Sequence, residues 1–192
     1  MPGWSFLAGE SVMRAWRLVL LLPFCLLAGC LVSFTERIAP GEAAPVSLLG
    51  EWSRRNEWGE RLALEIRPAG PARYRARQSL EGADDGLQAE FTVTRHGRRW
   101  YLSAGLPDDL GGGFLILGFE LTANNELVLY NLGPARVRQA LERGTLAGKP
   151  IVTARGPGVR VLSPLDRVFA YLDDPANSDV FSEVARYRRV GQ

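Results

Sequence analysis

The sequence predicts a mainly β, α+β fold: an antiparallel β-meander or small barrel of six to eight strands, with one or two short helices near the C-terminal end. Three observations carry this expectation. From about residue 48, apolar and polar residues alternate in short runs. Turn residues punctuate those runs every ~8–12 residues, the rhythm of an all-β meander. A helical period enters only from Pro134 onward.

Each element has its own signal. In 61–67, Leu62, Leu64 and Ile66 fall on one face, and Pro68 to Pro71 turns the chain. Residues 72–78 place Arg73, Arg75 and Arg77 on one face, with Tyr74 and Ala76 on the other. A polar turn at 81–86 leads into 87–94, which alternates throughout, and His96-Gly97 turns into a strand over 100–104. Leu106 to Gly113 reads as a loop with a flexible triple glycine at its end. The run 114–121 is apolar on both faces and should be a central strand covered on both sides. Asn124-Asn125 forms a hairpin turn into 126–130. Pro134 to Arg143 opens with proline, spaces Val137, Ala140 and Leu141 helically, and stops at Gly144. After a short strand at 159–162, Ser163-Pro164 is expected to cap a helix over 165–172, and Phe181 to Val190 closes the fold as a strand.

The N-terminal region has a different character. Arg14 and Arg17 precede ten apolar residues, Leu18 to Leu27, followed by Ala28, Gly29 and Cys30. Such a run fits a signal h-region of ~7–15 residues and falls short of the roughly 20 needed to span a bilayer. Leu27-Ala28-Gly29-Cys30 resembles the lipobox of bacterial lipoproteins at all four positions. The resemblance implies a signal peptide over 1–29 with Met13 as the better start, and cleavage between Gly29 and Cys30. It also implies diacylglycerol and N-acyl lipid on the Cys30 sulfur, enough chains for stable membrane anchoring. Leu31 rather than aspartate after the cysteine points to the outer membrane, with the domain facing the periplasm. Residues 30–47, with Pro40, Gly41 and Pro45, read as the lipidated cysteine and a flexible tether that holds the domain off the bilayer. A single β-rich domain then occupies 48–192.

Composition narrows the function. The chain carries 23 basic and 21 acidic residues, a formal charge of +2 that falls to near +1 without residues 1–29. This is no polyelectrolyte footprint, so nucleic acid is not an expected partner. The only cysteines are Cys25 and Cys30, so the domain holds no disulfide. The only histidine, His96, lies at a predicted hairpin tip and is expected to be exposed and uninvolved. The paired acids Asp84-Asp85, Asp108-Asp109 and Asp173-Asp174 have no base or nucleophile at informative spacing, and no Gly-x-Ser-x-Gly occurs. The expectation is a binding protein, not an enzyme, with no metal or cofactor beyond its lipid.

Two features point to what it binds. Gly50-Glu51-Trp52 opens the first strand of the domain and resembles the Gly-x-Trp signature of lipocalin-like barrels. That resemblance implies a barrel closed at its base by Trp52, with an arginine from a late strand, Arg188 or its neighbours Arg186 and Arg189, over the indole. It also implies an apolar or amphipathic ligand. Alternatively, Arg73, Arg75 and Arg77 form a basic patch for an envelope protein or glycan. The same face also reads as a solvated one neutralised by acids such as Glu65 and Glu90.

Overall fold

The computed structural model describes residues 31–83 and 85–191. The expected signal peptide, its start at Met13, the Gly29–Cys30 cleavage and the lipidation of Cys30 all lie outside these residues, as does Asp84.

The strands are β1 (Leu31–Phe34), β2 (Gly50–Arg55), β3 (Arg61–Gly70), β4 (Arg73–Leu80), β5 (Leu87–His96), β6 (Arg99–Gly105), β7 (Phe114–Leu121), β8 (Glu126–Leu132), β9 (Gly148–Thr153), β10 (Gly156–Val161) and β11 (Phe181–Arg189). Two helices, α1 (Pro134–Glu142) and α2 (Leu165–Asp173), flank the β9–β10 hairpin. Eight strands pair in the order β6-β5-β4-β3-β2-β11-β8-β7, and β7 returns to β6 to close an antiparallel barrel. Closure leaves those strands no free edges, which is how such a sheet avoids edge-to-edge association.

The alternation expected from the sequence sets the two faces. Inward rows run through Trp52, Leu64 and Gln78, through Ile66, Ala76 and Ala89, and through Leu115, Ala104, Phe91 and Tyr74. Most of the large side chains among them pack into one cluster with Phe119, Leu127, Leu129 and Tyr187. β7 is buried on both faces, as expected, because a second cluster covers the outside of the wall. There Tyr101 and Ile116 meet Val137 and Ala140 of α1, Val168 and Phe169 of α2, and Val159 and Val161 of β10.

The first of several corrections concerns 31–47, which is not a tether. Leu31–Phe34 pairs in parallel with β10 from Leu31↔Gly158 to Phe34↔Val161, and Val32, Phe34, Ile38 and Ala44 are buried. Ile38 exchanges hydrogen bonds with Ser103 Oγ and Thr92 Oγ1, and Ala44 N–H donates to the Tyr74 hydroxyl at 2.7 Å. The prolines and glycine of this stretch are turns in a packed segment; the apolar residues between them find partners far along the chain. Second, a strand absent from the expectation, β9, pairs with β10. Third, Ser163 does not cap α2: no side-chain bond caps that helix at Pro164, and Ser163 Oγ instead accepts from Ala147 N–H at 2.7 Å. Fourth, the triple glycine is held in place, not flexible. Arg160 donates to the carbonyls of Gly111 and Gly112, and a Cβ at Gly113 would sit 2.5 Å from the Phe34 carbonyl oxygen. Glycine is needed at 113 because β1 passes against its backbone, and its φ of +76° also disfavours side chains.

Candidate functional site

One end of the barrel is closed. Trp52 is 1% exposed and its indole N–H donates to Leu48 O at 3.0 Å, within the single 3-10 turn Val46–Leu48 that lies across this end. The guanidinium of Arg189 stands 4.9 Å from the Trp52 ring centroid and donates to Ser47 O at 2.8 Å and Leu49 O at 2.7 Å. One arginine therefore stacks on the indole and satisfies two carbonyls of the segment covering it. The residue proposed from sequence for this position, Arg188, does not fill it. Its side chain is 84% exposed and turns outward, 3.6 Å from Glu126. The reason is strand parity: β11 pairs Arg189 with Trp52 and Arg188 with Ser53, so only Arg189 shares the tryptophan's face.

Towards the other end the bore changes character. Ala76, Leu102 and Ala104 face inward yet are only half-buried, and Ala89, opposite Ala76, is exposed. The inner wall is less fully covered at these positions than around Trp52. Arg54 points into the same space from β2. Its side chain lies 5.3 Å from the Tyr187 ring centroid, and Tyr187 donates through its hydroxyl to Gln78 Oε1 at 3.4 Å. Burial raises the Tyr187 phenol pKa, and neighbouring Arg54 partly offsets the rise. Arg54 Nε is buried and has no hydrogen-bond partner among the described residues. Leaving a buried donor unpaired costs about 1–3 kcal/mol, more for a charged group, and the rest of the Arg54 guanidinium is engaged with the Tyr187 side chain. Arg54, Gln78 and Tyr187 were not singled out from sequence. The available signal was parity: Arg54 and Gln78 stand on faces whose neighbours include the core residues Trp52 and Tyr74.

The basic patch is assembled as expected in position: Arg73, Arg75 and Arg77 all lie on the outer face of β4. Of its three arginines, Arg75 meets a carboxylate, and so do two arginines of the neighbouring strand β3. Arg75 pairs with Glu90 at 2.6 Å, Arg67 with Glu65, and Arg61 with Glu81 at 2.9 Å. The Arg75 hydrogen bond and charge hold the Glu90 carboxyl below the usual range, with Arg73 adding to the effect. A groove of 450 Å³ runs along this outer face, lined by acids as well as bases, among them Glu51, Arg61, Glu65, Arg77 and Glu81.

His96 is not uninvolved. Its Nδ1 lies 2.6 Å from Asp173 Oδ2, and its ring stacks on Phe169 at 4.3 Å with planes 7° apart, fastening the β5–β6 hairpin to α2. Of the paired acids, Asp173 is thus spent on structure, while Asp174 accepts from Ala176 N–H as the cap of the turn that follows. Asp108 and Asp109 form a 3-10 turn beside the triple glycine, and the Asp109 carbonyl accepts from Ala154 N–H at 2.8 Å. Among the described residues, no helix is long and apolar enough to cross a membrane. Comparison with protein-family models, with curated proteins and with solved structures finds no match to this chain.

Proposed function

We propose that the chain is a lipid-anchored envelope protein whose barrel takes an amphipathic ligand, with the apolar part in the bore and an anionic head on Arg54. The observation that carries the ligand is the unpaired Arg54 Nε within a mainly apolar barrel, beside Tyr187 and Gln78. A carboxylate or phosphate there would accept charge-assisted bonds from Arg54, which are roughly twice as strong as neutral ones. The closed base at Trp52 and the half-buried alanines towards the opposite end support entry of a ligand from that end, as small barrels hold a single ligand. The lipid anchor is supported by Leu27-Ala28-Gly29-Cys30 after its basic and apolar regions, and Leu31 favours the outer membrane with the domain in the periplasm. A role as an envelope interaction module on the Arg73, Arg75 and Arg77 face is less favoured, because its central Arg75 meets Glu90 and the flanking Arg67 and Arg61 meet Glu65 and Glu81.

The test is displacement of a fluorescent fatty acid from the soluble domain, together with mass spectrometry of lipid that co-purifies with it. Arg54→Met should weaken a carboxylate-bearing probe by about tenfold or more, the value of one charge-assisted contact of roughly 1.5–3 kcal/mol, and leave an uncharged apolar probe unchanged. Equal binding of the acidic probe by both forms would remove the ligand reading. For the anchor, Cys30→Ala should abolish incorporation of labelled palmitate and release the protein from the membrane fraction.

A further inference from the structure

The packing of 31–38 fixes where any anchor at Cys30 must leave the fold. Leu31 is the first residue of β1, hydrogen-bonded into the sheet opposite Gly158 at the start of β10. The residue bonded to it is one Cα step away, about 3.8 Å, so no slack chain separates a lipidated Cys30 from the body of the domain.

What stands beside that exit point is the tip of the β9–β10 hairpin. Parallel pairing of β1 with β10 puts Leu31 at the tip end of the hairpin, near the turn between Thr153 and Gly156. There Val152 is 88% exposed, and Ala154 and Pro157 are exposed as well. The tip is held firmly: Thr153 Oγ1 donates to Gly156 O at 2.9 Å, and Ala154 N–H donates to Asp109 O at 2.8 Å. Asp109 belongs to the loop joining β6 to β7, at the same end of the barrel as the half-buried alanines and Arg54. The loop from β2 to β3 also lies at that end and carries Trp58, 69% exposed. Tryptophan is enriched at membrane interfaces, where an apolar body and a polar N–H are both accommodated.

We infer that the domain docks on the phospholipid bilayer through this end, with the β9–β10 tip in the interface next to the anchor and the barrel mouth turned towards the membrane. This rests on the lipid-anchor reading. Three exposed apolar residues bind a bilayer weakly by themselves. Joined to a short anchor, they meet it at high effective concentration, and the association becomes intramolecular. An amphipathic ligand would then pass between bilayer and barrel without crossing water.

The mature chain has no cysteine besides Cys30, so single-cysteine labelling is clean. Val152→Cys and, at the opposite end, Val46→Cys (82% exposed in the native chain) are each expressed as the full precursor, purified after processing and labelled with an environment-sensitive fluorophore. They are then reconstituted into phosphatidylethanolamine/phosphatidylglycerol vesicles containing nitroxide lipid. Both sites are surface positions where substitution leaves the core intact. The label at 152 should be blue-shifted and quenched about twofold or more relative to the label at 46, as an interfacial residue would be. A ten-residue Gly-Ser insertion after Cys30 should reduce that difference. Equal, water-like signals at the two sites, with intact mass showing lipid on Cys30, overturn the docking and leave the anchor standing. A mass without lipid, with protein that does not float with vesicles, overturns both.

Discussion

Replacing Arg189 with alanine removes three interactions at the closed end of the barrel. Two are hydrogen bonds from the guanidinium to Ser47 O and Leu49 O, and the third is its stack on Trp52. A buried charge-assisted bond contributes about 1.5–3 kcal/mol, but Arg189 is only half-buried, so about 1 kcal/mol for each is appropriate. The cation–π contact adds about 0.5–1 kcal/mol at such a site. The expected loss is about 2.5–3 kcal/mol, or roughly 5–12 °C in Tm for a domain of this size. Arg188→Ala is the internal control: its side chain is 84% exposed, and its loss should stay within about 0.5 kcal/mol. Arg189→Lys keeps the charge but not the two-pronged donation, and should fall between wild type and alanine. Urea titration and thermal melting of the three variants, followed by tryptophan fluorescence, read the result. If Arg189→Ala and Arg188→Ala melt together, the closure of the barrel by Arg189 is wrong.

Phe34→Ala should cost about 3–5 kcal/mol, since Phe34 is 2% exposed within the outer cluster; a change under 1 kcal/mol would return residues 31–38 to the status of a tether. Tyr101 gives a prediction of opposite sign. Its hydroxyl is buried with no hydrogen-bond partner among the described residues, so Tyr101→Phe should be neutral or stabilise by about 1 kcal/mol in denaturant titration. Burial, with a contribution from Asp173, pushes the Tyr101 phenol up to about 12. The folded state therefore holds that proton more tightly than the unfolded chain, and stability falls as pH rises from about 10 towards 12. The phenylalanine variant should show a shallower loss over that window, and an unchanged slope would count against the assignment. His96→Ala should cost about 1 kcal/mol through the lost Asp173 bond and Phe169 stack, and hydrogen exchange should rise in the β5–β6 hairpin before the rest of the sheet.

Much of the barrel was legible because strand parity is a local property. Leu62, Leu64 and Ile66 alternate with polar neighbours whatever lies across from them, and the double-sided run at 114–121 announced a strand buried on both faces. Trp52 after Gly50 was likewise readable as the base of a barrel. The 31–47 segment was not, because its apolar residues are few and spread among turn residues. Their burial depends on β10, Thr92 and Ser103, which lie between about 50 and 130 positions away along the chain. β9 was missed for a related reason: Gly148, Lys149 and Pro150 carry no strand pattern, and it is β10 that makes them one.

The candidate site shows the same division. Sequence alone determined that the arginines of β4 share a face and that Leu27-Ala28-Gly29-Cys30 resembles a lipobox, and the Gly-x-Trp resemblance implied a late arginine near residues 186–189 over the tryptophan. Tertiary structure decided which arginine reaches the indole, which bases are neutralised, and that Arg54 points into the bore beside Gln78 and Tyr187. Those outcomes depend on the register between strands and on closure of β6 against β7. Register is set by the sum of contacts around the whole barrel, and no single segment carries that sum in its own residues.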